Sequence, residues 1–233
     1  MKALITGASK GIGRAISLSL VKEGIDVLIH SRSLEDLDQL KQELLDINTK
    51  VIVICVASDI SKTQGVDLVF AELERNTFYP DILINNAGIF LQGTIKDEPE
   101  GQLQTLLDIN LLSAYHLTRK IIPSMILKKA GYIFNICSVA SLFAYSGGSS
   151  YGISKFALLG FSKYLREELK NEGIKVCSII PGATWSDSWK GVDLPEERLM
   201  QANDVALAVI SALKMSKSAV MEEIILRPQL GDL

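Results

Sequence analysis

Tyr151 and Lys155 stand at i and i+4 in a stretch with helical pattern, so one helix face carries a phenol and an ammonium. Such a pair moves protons near neutral pH, because a neighbouring cation favours the phenolate and lowers the tyrosine pKa from its usual value of about 10. Ser138 ends the strand-like run Tyr132-Ile133-Phe134-Asn135-Ile136-Cys137, and a Gly/Ser-rich loop follows before the helical pattern opens near Ser150. A hydroxyl brought in across that loop can hold a carbonyl oxygen against the phenol. Tyr-x-x-x-Lys spacing by itself is more often a helix-surface pair, so the rest of the chain has to decide.

Short apolar runs alternate with longer amphipathic ones. The strands are expected at 2–5, 26–30, 51–56, 82–84, 131–137, 174–180 and 220–226. Helical patterns fill the gaps near 12–23, 33–47, 61–76, 102–129, 151–171 and 203–215. Gly24 and Gly173 sit where left-handed C-caps belong. Strands without polar alternation suit a parallel sheet covered on both faces. A (β/α)8 barrel wants eight units, whereas seven strands and a glycine-rich first turn favour an α/β, doubly wound (Rossmann) and mostly parallel seven-stranded sheet. No linker divides the chain, so 1–233 reads as a single domain.

The first turn is Thr6-Gly7-Ala8-Ser9-Lys10-Gly11-Ile12-Gly13. Its glycines allow a tight turn and let backbone N–H groups approach a pyrophosphate at a helix N-terminus. The fourth strand exits through Asn85-Asn86-Ala87-Gly88, where side-chain amides can pin backbone across the crevice in which such folds bind ligands. Asn110 falls inside a helical pattern, where asparagine is mildly unfavourable and usually solvated.

The formal net charge of −3 offers no footprint for nucleic acid. No apolar run reaches the roughly 20 residues of a membrane helix, and the strand pattern at 2–5 leaves no room for a signal peptide. Cys55, Cys137 and Cys177 are far apart and odd in number, which argues for free thiols in a reducing cytoplasm and against zinc. No His/Cys/carboxylate cluster offers a metal site, and His30 and His116 read as residues without catalytic roles.

Taken together in their order and spacing, Thr6–Gly13, Asn85–Gly88, Asn110, Ser138, Tyr151, Lys155 and Pro181-Gly182 resemble the short-chain dehydrogenase/reductase family of the compact single-domain kind. The resemblance runs from Lys2 to about Pro228. It implies an oxidoreductase that moves a hydride between a nicotinamide and a carbonyl carbon, with a small-molecule carbonyl or alcohol as substrate. Asn110, Ser138, Tyr151 and Lys155 would form its catalytic tetrad. Tyr151 would be the proton donor, and Ser138 a hydrogen-bond donor to the same oxygen. Lys155 would lower the Tyr151 pKa and hold the ribose, and Asn110 would position a water behind Lys155. The cofactor would meet Gly7, Ser9, Lys10, Gly11, Ile12 and Gly13, then Asp59 and Ile60 at the adenine, then Asn86, Ala87, Gly88, Tyr151 and Lys155, and finally Pro181, Gly182 and a hydroxyl from Thr184 or Ser186. The family's usual Thr five places past the proline is here Ser186. The segment 184–201 is short, with Trp185 and Trp189 as candidates for an aromatic substrate wall, and the tail 223–233 lacks the commoner glycine-rich ending. Relatives pair through helices matching 102–129 and 151–171, so a homodimer or homotetramer is expected.

NADP is expected over NAD. Arg32, flanked by Ser31 and Ser33, lies 19 residues past Gly13, where an NAD enzyme places an acid on the ribose 2′-hydroxyl. An Arg there accommodates a 2′-phosphate instead, and Lys10 can approach the same phosphate from the other side, while Glu35 and Asp36 fall in the first turn of a helix and need not face the ribose. Two rival readings exist. Gly148-Ser149-Ser150-Tyr151-Gly152 fits the nucleophile elbow of serine hydrolases, but no strand precedes it directly and no histidine follows His116 to act as base. A non-catalytic dinucleotide-binding regulator on the same fold has no need of the Tyr151/Lys155 pair.

Overall fold

The computed structural model describes residues 1–186 and 191–232. Seven strands form one sheet, every neighbour pair parallel: β1 (Lys2–Thr6), β2 (Asp26–Ser31), β3 (Val53–Ala57), β4 (Ile82–Asn85), β5 (Gly131–Ile136), β6 (Ile174–Pro181) and β7 (Glu223–Leu226), in the order β3-β2-β1-β4-β5-β6-β7. Successive connections step outward from β1 to β3 and then cross back to β4. The β1/β4 boundary is therefore the point where the winding reverses and a crevice opens at the strand carboxyl ends.

Both faces of the sheet are buried. Ala3 and Ile5 face one core with Ile16 and Leu20 of α1 (Gly11–Lys22) and Val205 and Val209 of α7 (Ala202–Leu213). Leu4 faces the opposite core with Val66 and Val69 of α3 (Thr63–Arg75), Leu117 and Ile121 of α5 (Ser113–Lys128) and Leu165 of α6 (Ser149–Leu169). This double burial is why the strands read as unbroken apolar runs. Helix α2 (Leu34–Ile47) flanks β2 and β3, with Ser33 as N-cap accepting from Asp36 N–H. Gly24 and Gly173 take positive φ, +75° and +74°, as expected of C-caps.

Three elements differ from expectation. β3 begins at Val53, since Ile52 is exposed, and β7 begins at Glu223, where its pairing with Ser178 starts. The pattern at 102–129 is broken into α4 (Gln102–Leu107), a π-helical turn at Asp108–Leu112, and α5. A π turn inserts one extra residue into the helical ladder and often marks a functional site. Here it carries Asn110.

His30 is a buried β2 residue whose Nε2 lies 3.1 Å from both the Ser58 carbonyl and the Ser58 hydroxyl. Burial pushes its pKa down to about 4, opposed by the bond to Ser58 and by Asp59. The folded value lies below the unfolded 6.5, so the unfolded chain binds more protons in between. Stability is complete above about pH 6.5 and falls as pH drops from there towards 4, by on the order of 3 kcal/mol. In urea titrations across that window, His30→Gln should flatten this acid limb; an unchanged slope would remove His30 as its source.

Candidate active site

The crevice floor is made of backbone. Gly7 and Gly11 adopt positive φ, +62° and +52°, a region that favours glycine. Gly13 permits contact between α1 and the β1 turn, since a Cβ there would lie 2.2 Å from the Gly7 carbonyl oxygen. The first N–H groups of α1 have no intrahelical acceptor and lie at the positive end of the helix dipole. Ser9 and Ile12 are half-buried in this turn. Asn86 does what an amide at that strand end was expected to do. Its Nδ2 donates to the Thr6 and Gly7 carbonyls, both at 2.9 Å, locking the β4 exit to the glycine turn. Thr6 completes the lock, its hydroxyl accepting from Asn86 and Ala87 N–H at 3.0 Å each. Thr6 had no signal in the sequence beyond preceding a glycine.

The ends of β2 and β3 form the far side. Arg32 is exposed and close enough to Asp59 to help hold that carboxyl below its usual range, after the larger effect of hydrogen bonding from Ser61. Ile60 is buried beside it. The Ser31 hydroxyl donates to the Ser33 carbonyl and accepts from Ser33 N–H, so it shapes the turn presenting Arg32. Asp36 stands in the first turn of α2 and also reaches Lys10, 3.1 Å away. Exposed pairs of this kind are worth at most about 1 kcal/mol.

Ser138, Tyr151, Lys155 and Asn110 come together at the carboxyl ends of β4 and β5. Ser138 leaves β5 and caps a short 3-10 turn, accepting from Ala140 N–H, and it is hydrogen-bonded to the Tyr151 phenol. Tyr151 lies in the first turn of α6, with Phe90 edge-on at 5.0 Å between ring centroids. Lys155 is buried; its Nζ donates to the Ile136 carbonyl at 2.9 Å and lies 5.9 Å from the Tyr151 ring centre. Gly88 leaves room there, since a Cβ on it would lie 3.2 Å from Asn110 Oδ1 and 3.5 Å from Lys155 Nζ.

Two expectations are corrected. Tyr151 is not lowered in pKa: burial pushes it up, and the Ser138 hydrogen bond opposes this without cancelling it. Lys155 is itself buried, which pushes its own pKa down. Asn110 is not a solvated helix residue. It is 1% exposed; Oδ1 accepts from Ile89 N–H at 2.8 Å, and Nδ2 donates to the Ile89 carbonyl at 3.1 Å and to Ser154 Oγ at 3.0 Å. The side chain thus ties the β4 exit to α6.

The exit of β6 closes the crevice. Thr184 is buried, its hydroxyl donating to the Gly182 carbonyl at 3.0 Å, whereas the Ser186 Cβ lies 3.7 Å from the position of a Cβ on Gly11. Of the two hydroxyl residues, Ser186 is the one brought to the glycine turn. Trp185 turns its indole N–H to the Glu196 carbonyl at 2.6 Å, and Trp189 lies outside the described residues. Among the described residues, Phe90 and Tyr145 put aromatic surface beside Tyr151. The Tyr145 pKa rises to about 12 through burial and then the nearby Tyr151. Ser150, the candidate elbow nucleophile, is inside α6, 1% exposed, and donates to the Glu98 carboxylate. Among the described residues there is no metal-binding cluster, and no helix is long and apolar enough to cross a membrane.

A family profile described as short chain dehydrogenase matches residues 1–197. The chain belongs to the short-chain dehydrogenase family. An uncharacterized oxidoreductase of Staphylococcus epidermidis is 30% identical over 226 residues, covering 97% of this chain and 96% of that protein. Among solved structures of the family's fold, an alcohol dehydrogenase from the archaeon Thermococcus sibiricus, complexed with 5-hydroxy-NADP, superposes with a TM-score of 0.90 at 25% identity, covering 100% of this chain and 98% of that one. L-Sorbose reductase from Gluconobacter frateurii, complexed with NADPH and L-sorbose, gives a TM-score of 0.90 at 26% identity, covering 97% and 95%. The chain is therefore a short-chain oxidoreductase with a Rossmann-like fold.

Proposed function

We propose that this oxidoreductase interconverts a carbonyl and an alcohol with NADP(H), using Tyr151 as the proton-transferring group. The observation that carries this reading is the meeting of Ser138, Tyr151 and Lys155 beside the crevice floored by Gly7, Gly11 and Gly13. A bound nicotinamide dinucleotide supplies or takes up the hydride. The chain's residues do the rest. The Tyr151 hydroxyl gives its proton to the substrate oxygen in reduction and takes it back in oxidation. Ser138 donates a hydrogen bond to the same oxygen and stabilises its developing charge. Lys155 holds the ribose hydroxyls next to Tyr151, and Asn110 keeps the Ile89 backbone and α6 in register. The first turn of α1 would hold the pyrophosphate, and Ser186, beside the glycine turn, would meet the carboxamide.

NADP over NAD rests on Arg32 and Lys10 at the ends of β2 and β1, in agreement with the NADP and NADPH complexes of the two neighbours. Arg suits phosphate because its planar fork bonds two oxygens at once. The expected ratio of kcat/KM with NADPH to that with NADH is at least about tenfold, or roughly 1.4 kcal/mol. Arg32→Asp should shift it towards NADH by setting a carboxylate against the 2′-phosphate. A wild type that prefers NADH refutes the assignment.

The reading as a whole is tested by following cofactor oxidation by the purified protein against a panel of carbonyl compounds. Turnover of none of them, with NADPH still bound, would return the chain to a dinucleotide-binding regulator. The proposal extends to a single catalytic domain in the cytoplasm that self-associates as a homodimer or homotetramer; exposed Ile153, Phe156 and Tyr164 on α6 support that contact.

A further inference from the structure

The chain beyond β7 folds back onto the exit of β6. Gly231, at φ +81°, donates its N–H to the Pro228 carbonyl at 2.8 Å and so turns Asp232 inward. Asp232 Oδ1 accepts from Ala183 N–H at 3.1 Å, and Oδ2 accepts from Arg227 Nε at 2.7 Å. The approach is close: a Cβ on Gly182 would lie 2.1 Å from Asp232 Oδ1. Arg198 grips the same turn, donating to the Gly231 carbonyl at 2.8 Å and to the Asp232 carbonyl at 3.5 Å. The segment Asp232 touches is also tied at Gly182, whose N–H donates to the Leu226 carbonyl at 2.7 Å, and at Met200. The Ala183 carbonyl accepts from Met200 N–H at 3.1 Å, and the Met200 carbonyl accepts from Trp185 N–H at 2.9 Å. That segment runs on to Ser186 at the glycine turn.

We infer that Asp232 is a positioning residue, whose carboxylate sets the backbone of residues 182–186 against the crevice and thereby the grip on the nicotinamide half of the cofactor. The inference rests on the reading under Proposed function for what the segment meets. Its physical basis is separate. Ala183 lies past Pro181, the last residue of β6 in the ladder, so its N–H needs an acceptor from elsewhere. A carboxylate supplies a stronger one than water, and Arg227 holds that carboxylate in place. Arg227 and Asp232 are both partly exposed, so their ion pair adds little by itself; the bond to Ala183 is what transmits to the site.

The test uses Asp232→Ala and Asp232→Asn in the full chain, with two measurements. Hydrogen exchange without cofactor should show faster exchange at Ala183 and Trp185 in Asp232→Ala, with β1 unchanged, and a smaller change in Asp232→Asn, which keeps an acceptor oxygen. Equilibrium binding should show NADPH weakened by about fivefold to tenfold in Asp232→Ala. Adenosine 2′,5′-bisphosphate, which carries the adenine half alone, should bind as to wild type. Unchanged exchange at Ala183 overturns the inference whatever the cofactor does. Faster exchange with unaltered NADPH affinity, or equal weakening of both nucleotides, overturns the positioning role. A wild type that binds neither nucleotide sinks the cofactor reading and the positioning role with it, while the exchange measurement still reports on the Asp232–Ala183 contact.

Discussion

Tyr151→Phe is expected to lower kcat by about 10²–10⁴-fold, the usual worth of a positioned acid–base group. The fold and the affinity for NADPH should remain near wild type. The ring keeps its edge-on contact with Phe90 at 5.0 Å, and only the hydroxyl that meets Ser138 is lost. Burial holds the Tyr151 pKa above its ordinary value, so the phenol is protonated at neutral pH, the form that carbonyl reduction consumes. No other described group at the site is placed to replace it. Tyr145 also keeps its proton, with a pKa pushed up to about 12, but its ring is stacked on Gly148, where a Cβ would lie 2.5 Å from its hydroxyl oxygen. Steady-state kinetics with matched cofactor-binding measurements decide the matter. Retention of activity within a few-fold of wild type would remove Tyr151 from the chemistry.

Gly13→Ala should be the most damaging of the small substitutions in the crevice. The added methyl would meet the Gly7 carbonyl oxygen at 2.2 Å and Asn86 Nδ2 at 2.4 Å. Neither can yield cheaply. The first is backbone in a left-handed turn, and the second is committed to the Thr6 and Gly7 carbonyls. Overpacking of this kind costs about 1–3 kcal/mol, and each kcal/mol lowers Tm by about 2–4 °C in a chain of this size. A fall of roughly 6–12 °C is expected at the upper end, with NADPH binding weakened by at least about tenfold because the turn that cradles it has moved. Gly160→Ala serves as the comparison. Gly160 is in the interior of α6 with nothing within 4 Å of the added carbon, so it should gain about 0.5–1 kcal/mol. Equal melting temperatures for Gly13→Ala and wild type would refute the close-packing account of this glycine.

Much of this molecule is legible one residue at a time. The apolar runs that became β1, β2, β4, β5 and β6 needed no tertiary information, because a strand buried on both faces has to be apolar throughout. The glycine turn, the Asn86 pin, and the spacing of Ser138, Tyr151 and Lys155 were likewise set by local chemistry and chain order. The tertiary structure alone decided how these groups are used. The helical pattern around Asn110 could not reveal a π turn, because one extra residue in a ladder leaves no mark on composition. The direction of the Tyr151 pKa depends on how much water the fold removes from the phenol, which outweighs the hydrogen bond from Ser138. The hydroxyls of Thr184 and Ser186 are equivalent on paper, and they separate only because β6 turns one back on Gly182 and carries the other to Gly11. Asp232 is by sequence an acid next to the last residue of the tail, with nothing to mark a partner; its contact with Ala183 joins residues 49 positions apart, a pairing that only the folded backbone can make.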